Sequence, residues 1–404
     1  MPSALARTFA GLRVPAFRTL WIGGGLASTG FFVSTVVHAV VAFELTGTNR
    51  AVGYVAFGRG IAQIVLAPLG GALADRLPKK LVLILGQSVS VLVFFGLALL
   101  HASGRLAVPH LAAATFAIGS TFAFLAPARQ AYVVELVDED QRGNAVALNQ
   151  VALNASRVIG PALAGVLLAW SFSGPTGAFV VMGALYLVAV LIFTRLPRAA
   201  AQPKPRQSVR ADIVEGVRYV GGHRRLRLLL GFFVLTILAG FGHVTVLPAF
   251  VEHALHRESG AISALLTASA LGGLSASLAV APLADSPRAQ QLYVGAGFGF
   301  GVMLLLLSRT ESFAMAAVAM FLVGMTTSTM MTLNGAVLLG AAEPRYVGRV
   351  MSLAMLAFGG FGVIGPAVGW LADAYGEPAM LAAMGALTLS VSLVFGWKLR
   401  ERQR

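Results

Sequence analysis

The chain has 404 residues, of which 57% are hydrophobic and only 11% charged, against about 25% charged in soluble domains. That composition excludes an ordinary soluble globular protein, and the lack of any cysteine excludes disulfides and thiolate metal or redox sites. A formal charge of +14 raises nucleic acid as a partner, but the basic residues do not form the single exposed face or stripe that such a partner needs, so none is expected.

Apolar segments of about 20 residues, the length of a bilayer core, recur along the whole chain. Twelve are predicted, at roughly 18–44, 50–74, 80–100, 109–135, 144–170, 176–195, 227–252, 260–283, 290–308, 312–338, 349–372 and 378–398. Arg7, Arg13 and Arg18 precede the first. It is longer than a signal-peptide apolar region and no clear small-residue cleavage site follows it, so it reads as a retained span. It carries His38 and ends near Glu44, while the second span carries Arg59 and leads into the loop "GGALADRLPKK". The fourth holds Arg129 and ends near Glu135.

The fifth span contains "ASRVIGPALAGVLLAW", residues 155–170, in which Arg157 lies within an apolar run broken at its middle by Gly160-Pro161. Arg157 lies some 20 Å of helix beyond Gly143, too deep to reach the inner surface comfortably. Charges at such depth usually face a cavity or a partner and mark a substrate or ion path. Arg157 therefore reads either as a contact to an anionic part of a substrate or as a pair within the bundle, with Asn154 a candidate partner; Arg59 carries the same two readings. The small residues Gly160, Ala162, Ala164 and Gly165 allow a close helix approach, with Gly272, Gly273, Ser275, Ala276 and Ser277 of the eighth span offered for the other side.

Between spans six and seven, residues 196–226 form a basic, proline-containing stretch, "LPRAAAQPKPRQSVRADIVEGVRYVGGHRRL". From Asp212 onward Ile213, Val217 and Val220 recur at helical spacing, which suits either a short helix on the anionic inner leaflet or a solvated linker. The stretch separates a first bundle, 1–195, from a second, 227–404. Lys and Arg collect on the cytoplasmic side of membrane proteins. With both termini inside, only Arg50, Arg105, Arg257 and Arg309 fall in outer loops, and only Arg59, Arg129 and Arg157 in spans, out of 30 Lys and Arg. An odd number of spans would scramble this sorting.

The halves also repeat. "RGNAVALNQVALNASRVIGPALAG" opens span five and "VGRVMSLAMLAFGGFGVIGPAVGW" opens span eleven, so that Gly143, Leu148, Gly160 and Pro161 match Gly348, Leu353, Gly365 and Pro366, all 205 positions apart. Gly369 follows the second pair as Ala164 and Gly165 follow the first. Such repeats are a common construction of secondary transporters, with substrate near mid-membrane.

At "GGALADRLPKK" the chain resembles the major facilitator superfamily: Gly71, Asp75, Arg76, Lys79 and Lys80 match its loop signature, with Pro78 where glycine is usual. "LAPARQAYVVELVDEDQRGNAVALNQVALNASRVIGPALAG" and "ADIVEGVRYV" resemble the branch that contains macrolide efflux proteins and the enterobactin exporter. The resemblance implies an all-α membrane protein of twelve spans in two pseudo-symmetric six-helix bundles. It also implies a bacterial inner-membrane location. The span-five pattern partly resembles the glycine-proline antiporter signature of drug exporters, with Ala164 replacing one glycine, and so reads either as a sign of export by ion exchange or as a packing kink with no directional meaning.

Within that fold Asp75 is expected to bond the start of span eleven, near Arg345 and Arg349, as a cytoplasmic latch, while Arg76, Lys79 and Lys80 face lipid phosphates. Asp285, in "APLADSPRAQQ", would form a weaker reciprocal latch because Ser286 replaces the arginine. Proton coupling needs a titrating group in the membrane. Glu44 and Glu135 lie near the faces, whereas His38 and His243 are again 205 residues apart and either switch protons together or serve as helix-to-helix hydrogen bonds. Phe31, Phe32, Phe57, Phe124, Phe241, Phe358 and Phe361 line either a cavity or the lipid.

No nucleotide-binding loop or enzyme constellation is present in the sequence, and no metal or cofactor is expected. The expected function is proton-coupled export of medium-sized amphipathic molecules, drug-like compounds or siderophores, by a monomer working through alternating access. Import or facilitation of sugars or metabolites is the alternative within transport, and a transport-inactive membrane sensor or assembly partner the alternative outside it.

Overall fold

The computed structural model describes residues 10–74, 77–169, 174–197, 209–284 and 286–400, and every regular element among them is a helix. A chain in lipid must satisfy its backbone groups internally, which long helices do. In chain order they are α1 Pro15–Glu44, α2 Asn49–Ala74, α3 Lys79–Ala102, α4 Val108–Glu135, α5 Arg142–Ala169, α6 Gly174–Thr194, α7 Val209–Gly222, α8 Arg224–Gly240, α9 His243–His253, α10 Ile262–Val280, α11 Ala289–Leu307, α12 Phe313–Ala341, α13 Val347–Tyr375 and α14 Glu377–Arg400. Eleven segments among the described residues are long and apolar enough to cross a membrane, with α8 and α9 counted together. The 26-residue α2 is the twelfth helix at an expected span.

The repeat seen in the sequence reappears in the elements. Helices α5 and α13 each follow a short 3-10 turn, Glu139–Gln141 and Pro344–Tyr346, and start at the same 205-residue offset. Helices α4 and α12 start at that offset too, at Val108 and Phe313.

Two expectations about continuity change. Gly160-Pro161 does not break α5, which runs unbroken from Arg142 to Ala169 with both residues buried. The loss of one backbone donor is tolerated inside a packed membrane helix. Span seven, which reads as continuous, is instead divided at Phe241-Gly242 into α8 and α9. Gly242 sits where a side chain would meet Met384 at 2.7 Å.

The chain forms two compact units, Met1–Val41 with Ala62–Arg206, and Ala42–Ile61 with Gln207–Arg404. The tip of the α1–α2 hairpin thus belongs to the second unit, although the sequence division at the basic linker leaves it in the first. In the first unit Phe94 stacks on Tyr186 at 5.4 Å and Phe193 fills the space beside Gly23. In the second, the buried Tyr293 donates to Asn334 Oδ1 at 3.0 Å beside Phe232. Helix α7 lies on α8 and α13: Tyr219 stacks on Tyr346 at 3.9 Å, and its hydroxyl accepts the Glu343 backbone N–H at 3.0 Å. Val214 and Val217 remain exposed on its other face.

Candidate functional site

Within the first unit the polar groups of α4 and α5 meet those of α1 along its length. Gly24, Ser28 and Phe32 follow one another at helical spacing along α1. The Arg129 guanidinium, projecting from α4, donates through Nη1 to Ser28 Oγ at 3.0 Å and to the Gly24 carbonyl at 3.3 Å. A side chain at Gly24 would press on Arg129 at 3.4 Å, so the glycine makes room for it. Arg157, projecting from α5, stands over the Phe32 ring at 5.8 Å, within cation–π range. The attachment points are roughly 6–12 Å apart along α1, at about 1.5 Å per residue.

An aromatic face adjoins Arg157. Phe31 stacks on Phe122 of α4 at 4.9 Å and meets Phe32 edge-on at 5.5 Å, and all three rings are half-buried. Thr29 donates to Ser156 Oγ at 3.1 Å, tying α1 to α5 at the same level. Asn154 accepts from Gln150 Nε2 at 3.3 Å, one turn from Arg157. Among the described residues, Arg129 bonds only neutral groups and Arg157 has neither a hydrogen bond nor an ion pair. The expected Asn154 to Arg157 pair is not formed.

Neither cation recurs at the equivalent position of the other repeat. At the 205-residue offset Arg157 corresponds to Gly362, a packing glycine of α13, and Arg129 corresponds to Asn334, a neutral core residue. One repeat therefore has neutral residues where the other carries guanidinium groups that have no carboxylate partner among the described residues. The sequence marks Arg129 only as one of three arginines inside spans; its place beside Arg157 depends on how α4 and α5 flank α1.

The other expected site residues are distributed differently. Asp75, Arg76 and Asp285 lie outside the described residues, as do the surroundings of Gly71. Lys79 and Lys80 turn inward instead of toward lipid phosphates. Lys79 is buried and pairs with Glu135 at 2.7 Å, and Lys80 donates to the Thr194 and Leu196 carbonyls at the end of α6, both at 2.6 Å. Carbonyls at a helix C-terminus lack partners and carry partial negative charge, so a lysine caps them well. Arg345 pairs with Glu343 at 2.9 Å, and Arg349 with Glu215 of α7 at 3.0 Å.

Glycines of the two GP pairs meet different helices. A side chain at Gly160 would overlap Phe32 of α1, whereas one at Gly369 would overlap Asn49 of α2, and one at Gly365 would press on Gly53 at 2.8 Å. Those of α10 meet α12: a side chain at Gly272 would overlap the Phe321 carbonyl. Pro161 and Gly165 lie on α5, and Pro366 lies against the Gly53 position. Arg59 is half-buried on α2 beside Gly60. His38 is buried between Phe94 and Phe179, with ring centroids at 5.8 and 6.0 Å. His243 opens α9, with Nδ1 2.8 Å from the Gly240 carbonyl. Glu44 is exposed at the end of α1.

Comparison with known proteins decides the family. Residues 6–404 match the profile of the transmembrane secretion effectors. The chain belongs to this family of the major facilitator superfamily. It is 26% identical over 364 residues to the staphyloferrin A transporter of Staphylococcus aureus (strain NCTC 8325 / PS 47), covering 87% of this chain and 89% of that one. It is 27% identical over 284 residues to the enterobactin exporter EntS of Citrobacter koseri (strain ATCC BAA-895 / CDC 4225-83 / SGSC4696), covering 68% and 65%. The fold is similar to that of the nucleoside transporter NupG, with a TM-score of 0.79 at 12% identity over 94% of this chain and 98% of that one. The protein is thus a multi-pass membrane transporter of small molecules and not an enzyme.

Proposed function

We propose that this transporter exports amphipathic organic anions, of the siderophore kind, by alternating access coupled to protons. The observation that carries the reading is the pair Arg129 and Arg157 on the two sides of α1, cations without carboxylate partners among the described residues, with Arg157 over Phe32 of the Phe31–Phe32–Phe122 face. Taking a charge out of water is costly unless a partner compensates; Arg129 is half-buried and Arg157 exposed, and a carboxylate- or catecholate-bearing ligand would supply the partner when it covers them, while its apolar part lies on the rings. The names of the two relatives, one a staphyloferrin A transporter and one an enterobactin exporter, support the substrate class and the direction. The sorting of Lys and Arg supports a plasma-membrane protein with both termini inside, and a full set of twelve helices suffices for a transport path in a monomer.

The test is a thermal-shift screen of purified protein against matched anionic siderophores and cationic or neutral drugs. A ligand at about 100 times its dissociation constant stabilises the folded state by about 2.7 kcal/mol. Anions are expected to raise the melting midpoint of the wild type and to lose that effect in Arg129→Gln and Arg157→Gln. Stabilisation by drugs that is indifferent to both arginines replaces this reading with that of a multidrug exporter. Flux into everted vesicles that does not respond to a pH gradient removes the proton coupling.

A further inference from the structure

In the second unit α11 and α12 leave an open groove of about 390 Å³ between them. Arg288, at the start of α11, lines it together with Gln291 and Gly295 of that helix and Met325 and Thr329 of α12. The groove runs along a face on which Leu292, Phe298 and Leu306 are exposed, and exposed apolar side chains on a membrane span meet acyl chains. Two glycines shape it. A side chain at Gly295 would meet nothing within 4 Å, which leaves the groove open there, whereas one at Gly299 would touch the Thr326 methyl at 3.0 Å, so the helices close to form its floor.

The groove is polar at one end only. From Arg288 to Gly299 it covers about 16 Å of helix, close to half of a bilayer core of about 30 Å and so about one leaflet. The sorting of Lys and Arg places the Arg288 end inside. Arg288 is exposed and Thr329 half-buried, and among the described residues neither the guanidinium nor the hydroxyl has a hydrogen-bond or ionic partner.

The other repeat has no such feature. Leu83, Gln87, Ser90 and Phe94, buried along α3, match Ala289, Tyr293, Ala296 and Phe300, buried along α11, all 206 positions apart. In that register Arg288, Gln291, Gly295 and Gly299 correspond to Val82, Leu85, Val89 and Val93. The first unit thus presents an unbroken apolar ridge to lipid, with Leu85 and Val89 exposed on it. In the second unit glycines remove the ridge and a cation stands at its inner end.

We infer that this groove binds one phospholipid of the inner leaflet, with an anionic headgroup on Arg288 and an acyl chain laid along Gly295 and Gly299. A guanidinium offers several N–H donors to phosphate oxygens, and a basic pocket between spans on the cytoplasmic side suits such a headgroup. The Thr329 hydroxyl, deeper in the groove, can donate to an ester carbonyl. The cationic amine of a zwitterionic choline lipid is repelled by Arg288, so phosphatidylglycerol is preferred to phosphatidylcholine. This site is separate from Arg129 and Arg157, and its occupancy does not depend on what the protein transports.

The purified protein in an uncharged detergent is titrated with phosphatidylglycerol or phosphatidylcholine of identical chains, and the first lipid adduct is measured by native mass spectrometry. The preference for phosphatidylglycerol is expected to fall about fivefold in Arg288→Gln, the size of one cation at an anionic lipid surface, and to persist in Arg288→Lys. Gly295→Leu, which has room for its side chain in the groove, is expected to weaken the first adduct of both lipids. Arg225 is the control for general attraction. It donates to Gln290 at 3.0 Å, about 200° around α11 from Arg288, and Arg225→Gln is expected to leave the preference unchanged.

A preference that survives Arg288→Gln, or that falls equally in Arg225→Gln, overturns the inference. So does a first adduct undiminished in Gly295→Leu. Displacement of the lipid by an excess of glycerol 3-phosphate would make this a site for soluble phosphates and not for a lipid.

Discussion

Charges inside the spans divide into those paired with an acid and, on the function proposed above, those left for a ligand. Lys79 is paired to Glu135 and their side chains are 5% and 33% exposed, so the acid compensates a cation that has little water of its own. Replacing Glu135 with Gln leaves Lys79 buried against a neutral group, and the expected loss is roughly 1–3 kcal/mol of stability, read as a lower melting midpoint. Removing both, in Lys79→Met with Glu135→Leu, is expected to recover most of that loss, since an apolar pair can replace a buried ion pair without penalty. A double variant as unstable as the single one would show that the acid matters for something other than this lysine. Arg129 and Arg157 behave in the opposite way: with no carboxylate to strand, Arg157→Gln is expected to leave the ligand-free melting midpoint within a degree or two while abolishing the shift that an anionic ligand produces. A large drop in the ligand-free protein would return Arg157 to the framework.

Between elements, the determining feature is where two backbones come together without side chains between them. A side chain at Gly324 of α12 would overlap the Ser269 carbonyl of α10, whereas one at Gly335 of the same helix meets nothing within 4 Å. Gly324→Ala is therefore expected to destabilise the purified protein by about 1–3 kcal/mol through overpacking, and Gly335→Ala to leave its thermal transition unchanged or slightly raised. Equal effects would mean that helix propensity, not contact, sets the outcome. The spans themselves were legible from apolar length and from the sorting of arginines, and the 205-residue offset extends to the starts of α5 and α13. Which helix each glycine meets was not legible. The GP pairs are alike in sequence, yet Gly160 faces α1 and Gly365 faces α2, because a repeated motif fixes a small-residue surface and not its partner. Lys79 and Lys80 were misread for a related reason: composition places a lysine near a membrane face, but only packing reveals a carboxylate or a helix end within its reach. Asp373 and Glu377, which accept from the Asn49 backbone and side chain at the start of α2, were passed over because these partners are more than 320 residues away.

For the molecule as a whole, the division of the α1–α2 hairpin has a mechanical consequence. Residues up to Val41 and from Ala62 belong to one compact unit, while Ala42–Ile61 belongs to the other. The chain thus crosses between units twice within one hairpin, through two continuous helices that resist bending. If the units move as bodies during alternating access, either the tip detaches from α13 or α1 and α2 bend near Val41 and Ala62. Acid capping and glycine contact at Asn49, Gly53 and Gly60 make detachment a stepwise loss of polar and packing contacts. Bending must instead break helix hydrogen bonds where lipid offers no replacement, so detachment is the lower-cost route. Cysteines at Arg50 and Asp373, whose side chains approach to 4.0 Å, allow this to be tested with a short, reducible thiol cross-linker. Flux through the double variant is expected to fall to background on cross-linking and to return on reduction, with the same protein before treatment as reference. Undiminished flux in the cross-linked protein would mean that the tip stays in place throughout the cycle, and that α1 and α2 bend where the two units divide them.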